Sequence, residues 1–278
     1  MRLYMKRFLT LLMVFTIYSS FTKKETVWLA LGDSITYLND HLNETGNRVY
    51  KGYMTYVTEK KPSLRYINQG HNGWTAVRIA QEIEDLGLVK ADVYTIFLGT
   101  NDWWAGLTLG SLKDYQQGTG NSTVFGAFKT ITDKIKQLNR KADIILITPM
   151  QRTDFVYIND MHNNAWGSYK EKNGQHLEQF ANAIISIGKL EGFKVIDLFH
   201  NKQLDLANLV HYKRLRDKTN GAYKNFKYPD YINIPFNADE DAYPYPPQSI
   251  NMTYDGLHPS DRGNQLIAEQ LLSIFNDL

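Results

Sequence analysis

Five short apolar runs, most of them separated by an amphipathic stretch, constrain this chain more than any other feature of its sequence. Val27-Trp28-Leu29-Ala30-Leu31 and residues 64–67, 93–98, 144–147 and 195–198 have the continuous apolar character of parallel strands covered on both faces. Residues 75–86, 123–138 and 177–190 instead space their apolar side chains as helices do. The first carries Val77, Ile79, Ala80, Ile83 and Leu86, and the second Phe128, Ile131, Ile135 and Leu138. Gly192 follows the third as a stop signal. Strands alternating with helices call for right-handed βαβ units, a parallel sheet and a three-layer α/β/α sandwich. No internal repeat, low-complexity tract or interdomain linker interrupts the rhythm.

Three segments break it. Residues 103–120 are glycine-rich, 152–174 mix aromatics with Asn, and 214–251 are rich in Tyr, Pro and Asn. Long irregular segments in a compact domain are usually functional rims or mobile loops. These three leave or rejoin the chain near strand C-terminal ends, the side on which open α/β sheets bind ligands.

The N-terminus has a different pattern. Arg2, Lys6 and Arg7 precede an almost wholly apolar stretch, 8–17, and polar residues follow from 18 to 24. That order is a secretory signal peptide, placed at residues 1–22, with the folded domain at 23–278. The apolar stretch falls well short of the ~20 residues that a bilayer span requires, so no stable membrane span is expected. The implied location is secreted or periplasmic. The chain has no cysteine, so a large core rather than disulfides must stabilise an exported fold. A cysteine nucleophile, a thiolate metal site and lipoprotein acylation are excluded by the same absence. Removing residues 1–20 takes away three positive charges and no acid, which turns a formal +2 into −1. Such a chain offers no electrostatic footprint for nucleic acid. Its one basic cluster, Lys213-Arg214-Leu215-Arg216, reads as a solvated face. Nothing in the sequence bears on oligomeric state.

The chemistry lies at the ends of the apolar runs. The first ends in Leu31-Gly32-Asp33-Ser34-Ile35-Thr36, which presents a serine at a strand tip; ordinary turn chemistry would use the same residues. This is not the Gly-x-Ser-x-Gly elbow of α/β-hydrolases, because position 36 is Thr. The second leads through Asn68-Gln69-Gly70-His71-Asn72-Gly73 toward a helix, where glycine allows close backbone approach and an amide can point outward. The third ends in Gly99-Thr100-Asn101-Asp102, whose Asn side chain is a donor or a cap. Near the C-terminus stands Tyr254-Asp255-Gly256-Leu257-His258-Pro259-Ser260. Pro259 steers His258 away from helical backbone, so Asp255 and His258 share a tight loop in which the carboxylate can accept the Nδ1–H bond. Ser260 is a candidate N-cap for a last helix. An Asp-x-x-His could also be a metal pair, but no His-Glu-x-x-His and no third ligand at helix spacing accompany it. Neither a metal nor a cofactor is expected.

In this order and spacing the four blocks resemble the SGNH, or GDSL-type, serine hydrolases: Gly32-Asp33-Ser34, Gly73, Gly99-Thr100-Asn101-Asp102 and Asp255-Gly256-Leu257-His258. The resemblance implies a flavodoxin-like five-stranded parallel sheet and ester or thioester cleavage. It also implies Ser34 as nucleophile, His258 as base and Asp255 as the group that orients the imidazole. The oxyanion hole would be the Ser34 amide, the Gly73 amide, with Gly70 as fallback, and the Asn101 side chain. Asp33 is expected to be structural. Trp103, Trp104 and Tyr254 are candidate substrate contacts, and Tyr157, Trp166, Tyr169, Tyr243 and Tyr245 could either stack on sugars or plug loops onto the sheet. The expected substrate is an acylated small molecule or glycan, with deacetylation of carbohydrate first. Lipolytic, lysophospholipase-like cleavage comes second, and a non-catalytic glycan-binding scaffold third.

Overall fold

The computed structural model describes residues 25–277; the signal peptide expected at 1–22 lies outside them. In chain order come β1 (Thr26–Gly32), α1 (Ser34–Tyr37), α2 (Tyr53–Lys60), β2 (Leu64–Gly70), α3 (Ala76–Gln81), β3 (Val93–Phe97), α4 (Thr100–Trp104) and α5 (Leu112–Gln117). Then follow α6 (Val124–Leu138), β4 (Asp143–Ile147), β5 (Phe155–Tyr157), β6 (Asp160–Ala165), α7 (Leu177–Glu191), β7 (Lys194–Ile196), β8 (Lys213–Arg216), β9 (Tyr223–Phe226) and α8 (Asp261–Phe275).

Five strands form one parallel sheet in the order β2-β1-β3-β4-β7. That is the flavodoxin-like order, in the expected three-layer α/β/α sandwich. The alternation of side chains explains why the strands are apolar throughout. Leu29, Leu31, Tyr94, Ile96, Ile144 and Leu146 face one core with α3, α6 and α7. Trp28, Ala30, Val93, Phe97, Ile145 and Ile147 face the other with α2 and α8. Consecutive residues point to opposite faces of a strand, and here both faces are covered.

The differences from expectation have local causes. β2 extends through Asn68-Gln69-Gly70, beyond its apolar run, because an edge strand is only partly covered and tolerates polar residues. α3 ends at Gln81 rather than residue 86, yet Ile83 stays in the core through the following turns. α7 ends where expected, at a left-handed Gly192.

The three irregular segments are partly regular. α5 lies in the first, the β5–β6 hairpin in the second, and the β8–β9 hairpin in the third. The basic cluster corrects the solvated-face reading. As strand β8 it alternates, with Lys213 and Leu215 buried and Arg214 and Arg216 exposed. Lys213 forms a buried ion pair with Asp154, and burial pulls its ammonium below the usual lysine range despite that partner.

Candidate active site

The sheet order reverses direction around β1 and β3, and three of the four sequence blocks leave the strand ends there. The tips are tied together by backbone: the Asp33 N–H donates to Phe97 O at 3.3 Å and the His71 N–H to Gly32 O at 2.9 Å. Asp33 is the structural residue expected. Its carboxylate caps α1 by accepting from the Ile35 N–H at 3.0 Å, and burial raises its pKa to about 6. Ser34 is therefore held as the first residue of a helix, on a capped turn.

Asp255 and His258 reach Ser34 from across the chain. The Nδ1 of His258 is 2.7 Å from Asp255 Oδ2, and its Nε2 is 2.9 Å from Ser34 Oγ. The other Asp255 oxygen accepts from the Leu257 and His258 N–H groups at 3.0 and 2.7 Å. Asp255 is wholly buried, whereas Ser34 and His258 keep 7% and 6% exposure, so the dry end of the chain is the carboxylate and the reachable end is the hydroxyl. Four contacts with the imidazole or its turn set the geometry. The Tyr254 ring stacks on the imidazole (5.9 Å, 21°) and Phe155 meets it edge-on (5.4 Å, 78°). The Thr153 N–H donates to Gly256 O and the Val156 N–H to Asp255 O, at 2.9 and 3.2 Å. Gly256 has φ +91°, and a Cβ there would lie 2.1 Å from Asp154 O, so this turn requires glycine. Ser260 caps α8 as expected.

The donors separate cleanly. Gly70 is not one: its N–H donates to Asn68 Oδ1 at 2.8 Å, and a Cβ would meet the Tyr37 backbone at 2.1 Å. Gly73 is exposed at φ +76° with open space around it. Neither its N–H nor that of Ser34 donates to a protein acceptor among the described residues. The Asn101 Nδ2 gives one hydrogen to Trp74 O at 3.0 Å, which leaves its second hydrogen and fixes the amide against the residue after Gly73.

Sequence reasoning gave Asp102 no role, and the structure supplies one. Its buried carboxylate accepts the Ala76 and Val77 N–H groups, at 2.9 and 3.3 Å, at the start of α3. It thereby anchors the loop that carries Gly73. Burial raises its pKa to about 6, against the lowering effect of those backbone donors.

Two of the three candidate substrate contacts are corrected. Trp103 is 0% exposed, belongs to the core and donates from Nε1 to Gln175 O at 2.9 Å. Tyr254 is buried behind the His258 ring, where burial and the neighbouring Asp255 keep its phenol protonated. Trp104 is the candidate that reaches the rim. It packs with the Phe155, Ala165 and Leu257 cluster beside the turn that carries His258 and meets Trp166 edge-to-face at 4.6 Å. Cations cover the pair: the Arg152 guanidinium lies 4.9 Å from the Trp104 ring, and the Lys172 ammonium 4.5 and 4.8 Å from Trp104 and Trp166. Tyr243 and Tyr245 are plugs, their hydroxyls donating to Val156 O and Asp154 O. Tyr169 donates to the Asp154 carboxylate, and Tyr157 packs against the Phe155 cluster.

Among the described residues no helix is long and apolar enough to cross a membrane, and no group of three His, Asp or Glu is placed to hold a metal.

A model of the GDSL-like lipase/acylhydrolase family matches residues 30–266. The fold is similar to that of a possible lipase from Chitinophaga pinensis DSM 2588, with a TM-score of 0.90 and 60% identity over 91% of this chain and 98% of that one. A protein from Lactobacillus plantarum follows at TM-score 0.60 and 18% identity, covering 91% and 98%. The acetyl xylan esterase AlAXEase has a TM-score of 0.53 and 20% identity, covering 89% and 98%. At the two lower identities the likeness is one of fold. No match was found among curated proteins.

Proposed function

The chain belongs to the GDSL-like lipase/acylhydrolase family, and from that premise we propose that it is an exported serine esterase removing short acyl groups, acetyl foremost, from carbohydrate. One observation carries the reading: a continuous chain from buried Asp255 through His258 to the Ser34 hydroxyl, with spacings of 2.7 and 2.9 Å.

Ser34 Oγ attacks the ester carbonyl while His258 Nε2 takes its proton. The carbonyl π electrons move to oxygen, and the resulting oxyanion is met by the Ser34 and Gly73 N–H groups and the free Asn101 hydrogen. Collapse of the tetrahedral intermediate breaks the bond to the sugar oxygen, which leaves with the proton from His258. Water then attacks the acyl-enzyme, gives its proton to His258, and releases the acid as Ser34 recovers its hydrogen. Asp255 holds the tautomer that leaves Nε2 free and stabilises the imidazolium without becoming protonated.

One feature favours a sugar substrate. Trp104 and Trp166 supply aromatic surface beside the turn. The second reading, lipolysis, is favoured by the 60% identity to a possible lipase. A p-nitrophenyl ester series separates the two: acetate and propionate should be the best substrates, and a preference for chains of about eight carbons or more would establish lipolysis instead. Acetate release from acetylated polysaccharide, with Ser34→Ala as control, tests the glycan directly. Fluorophosphonate labelling of Ser34 tests the nucleophile. Export is tested by the N-terminus of the protein recovered outside the cytoplasm, expected just after residue 22.

A further inference from the structure

A cavity of about 480 Å³, within the size range of ligand sites, lies between the β5–β6 hairpin and residues 213–236. One wall is Phe155, whose edge meets the His258 ring. A single aromatic layer thus separates this cavity from the imidazole that contacts Ser34. Trp166 contributes a second aromatic wall, and Asn233 a polar edge.

The charge of the lining is what gives the cavity a preference. Asp154 is taken up by Lys213, Tyr169 and the Gly167 N–H. Lys170 and Lys218 make no ion pair among the described residues: Lys218 donates to Asn233 O at 2.7 Å, and Lys170 lies 5.7 Å from the Tyr169 ring centre. Two exposed ammonium groups therefore line the cavity with no carboxylate to balance them.

We propose that this cavity is a subsite for an anionic group, a carboxylate or a sulfate, on a sugar near the acylated one, so that the substrate is an acylated acidic glycan. The inference rests on the glycan-esterase reading and narrows it to charged polymers. Lys170 and Lys218 pair with the anion, Trp166 flanks the sugar ring, and the Ser34 hydroxyl lies beyond Phe155.

Binding and turnover test it separately. Trigalacturonate should bind Ser34→Ala protein, more weakly as salt is raised, and the added pair Lys170→Gln and Lys218→Gln should weaken that binding roughly tenfold. In the active enzyme the same pair should raise KM for acetylated polygalacturonate by about the same factor. It should leave kcat, acetylated glucomannan and p-nitrophenyl acetate unchanged. A sulfated galactan oligosaccharide run beside trigalacturonate identifies which anion the site prefers. Equal binding by the Lys-to-Gln protein, with acidic and neutral polymers cleaved alike, overturns the subsite while leaving the esterase intact. If wild-type protein does not cleave p-nitrophenyl acetate, the esterase reading falls, and the binding measurement still decides whether the cavity takes an anion.

Discussion

The strand tips around Ser34 and the rim around Trp104 are built on opposite principles. At the tips, position comes from the backbone: parallel strands, capped helix starts and a glycine turn set Ser34, Gly73, Asn101 and His258. At the rim, position comes from side chains: Trp104 at the end of α4 and Trp166 just beyond the β5–β6 hairpin pack on one another, with Arg152 and Lys172 over the rings. Such a rim can change composition without disturbing the sheet. The tips cannot, because most of their hydrogen bonds belong to the fold itself. On the proposed function, the chemistry sits on the least adjustable part of the molecule and the selectivity on the most adjustable.

Substitutions can sharpen that division or break it. Ser34→Ala should reduce hydrolysis of p-nitrophenyl acetate by about 10⁴-fold or more while leaving the melting temperature near wild type; a smaller loss would remove Ser34 as nucleophile. Trp103→Ala should cost about 3–5 kcal/mol of stability in urea unfolding, since its ring is wholly buried. If that variant instead kept its stability and lost only substrate affinity, Trp103 would belong to the rim after all. Asn101→Ala should lower kcat by roughly 10²–10³-fold with KM little changed.

Asp102 offers a pH test. Burial raises its folded pKa from 3.8 to about 6, so between those values the folded chain holds a proton that the unfolded chain has lost. Its contribution to stability is complete below pH 3.8 and is lost as pH rises through about 6, by at most about 3 kcal/mol. Relative to Asp102→Asn, wild-type protein should therefore lose stability between pH 4 and 6.5 and run parallel above it. A difference that grows in the opposite direction would mean that the carboxylate is stabilised as an anion. The smallest effect belongs to the rim: Trp104→Ala should raise KM for acetylated oligosaccharides about tenfold and leave p-nitrophenyl acetate untouched.

The same division explains what could be read before any coordinates. β1, β3 and β4 were legible because both faces are covered and the residues are apolar throughout. Ser34, Asn101, Asp255 and His258 were legible because four short blocks, at strand ends and before Pro259, resemble a known family in order and spacing; taken singly, each block also suited an ordinary turn, cap or metal pair. α2 left no mark, since Tyr53–Lys60 mixes aromatic and β-branched residues behind a glycine with no side-chain cap. Trp103 and Trp104 are neighbours in sequence, and only the curl of α4 sends one inward and the other to the rim. Asp102 reaches α3 across 26 positions, and Lys213 meets Asp154 across 59. Partnerships that distant have no periodicity to announce them.

Gly256 leaves no room for a side chain against Asp154 O, and Asp154 in turn accepts from Lys213, Tyr169 and Tyr245. The hairpin bases and the turn bearing His258 therefore interlock, and neither can be transplanted without its counterpart. A chimera that imported another protein's loop at 152–174 would have to bring the matching 213–256 segment with it. Room for change lies at the hairpin ends, near Trp166, Lys170 and Lys218, where new preferences could be acquired one residue at a time.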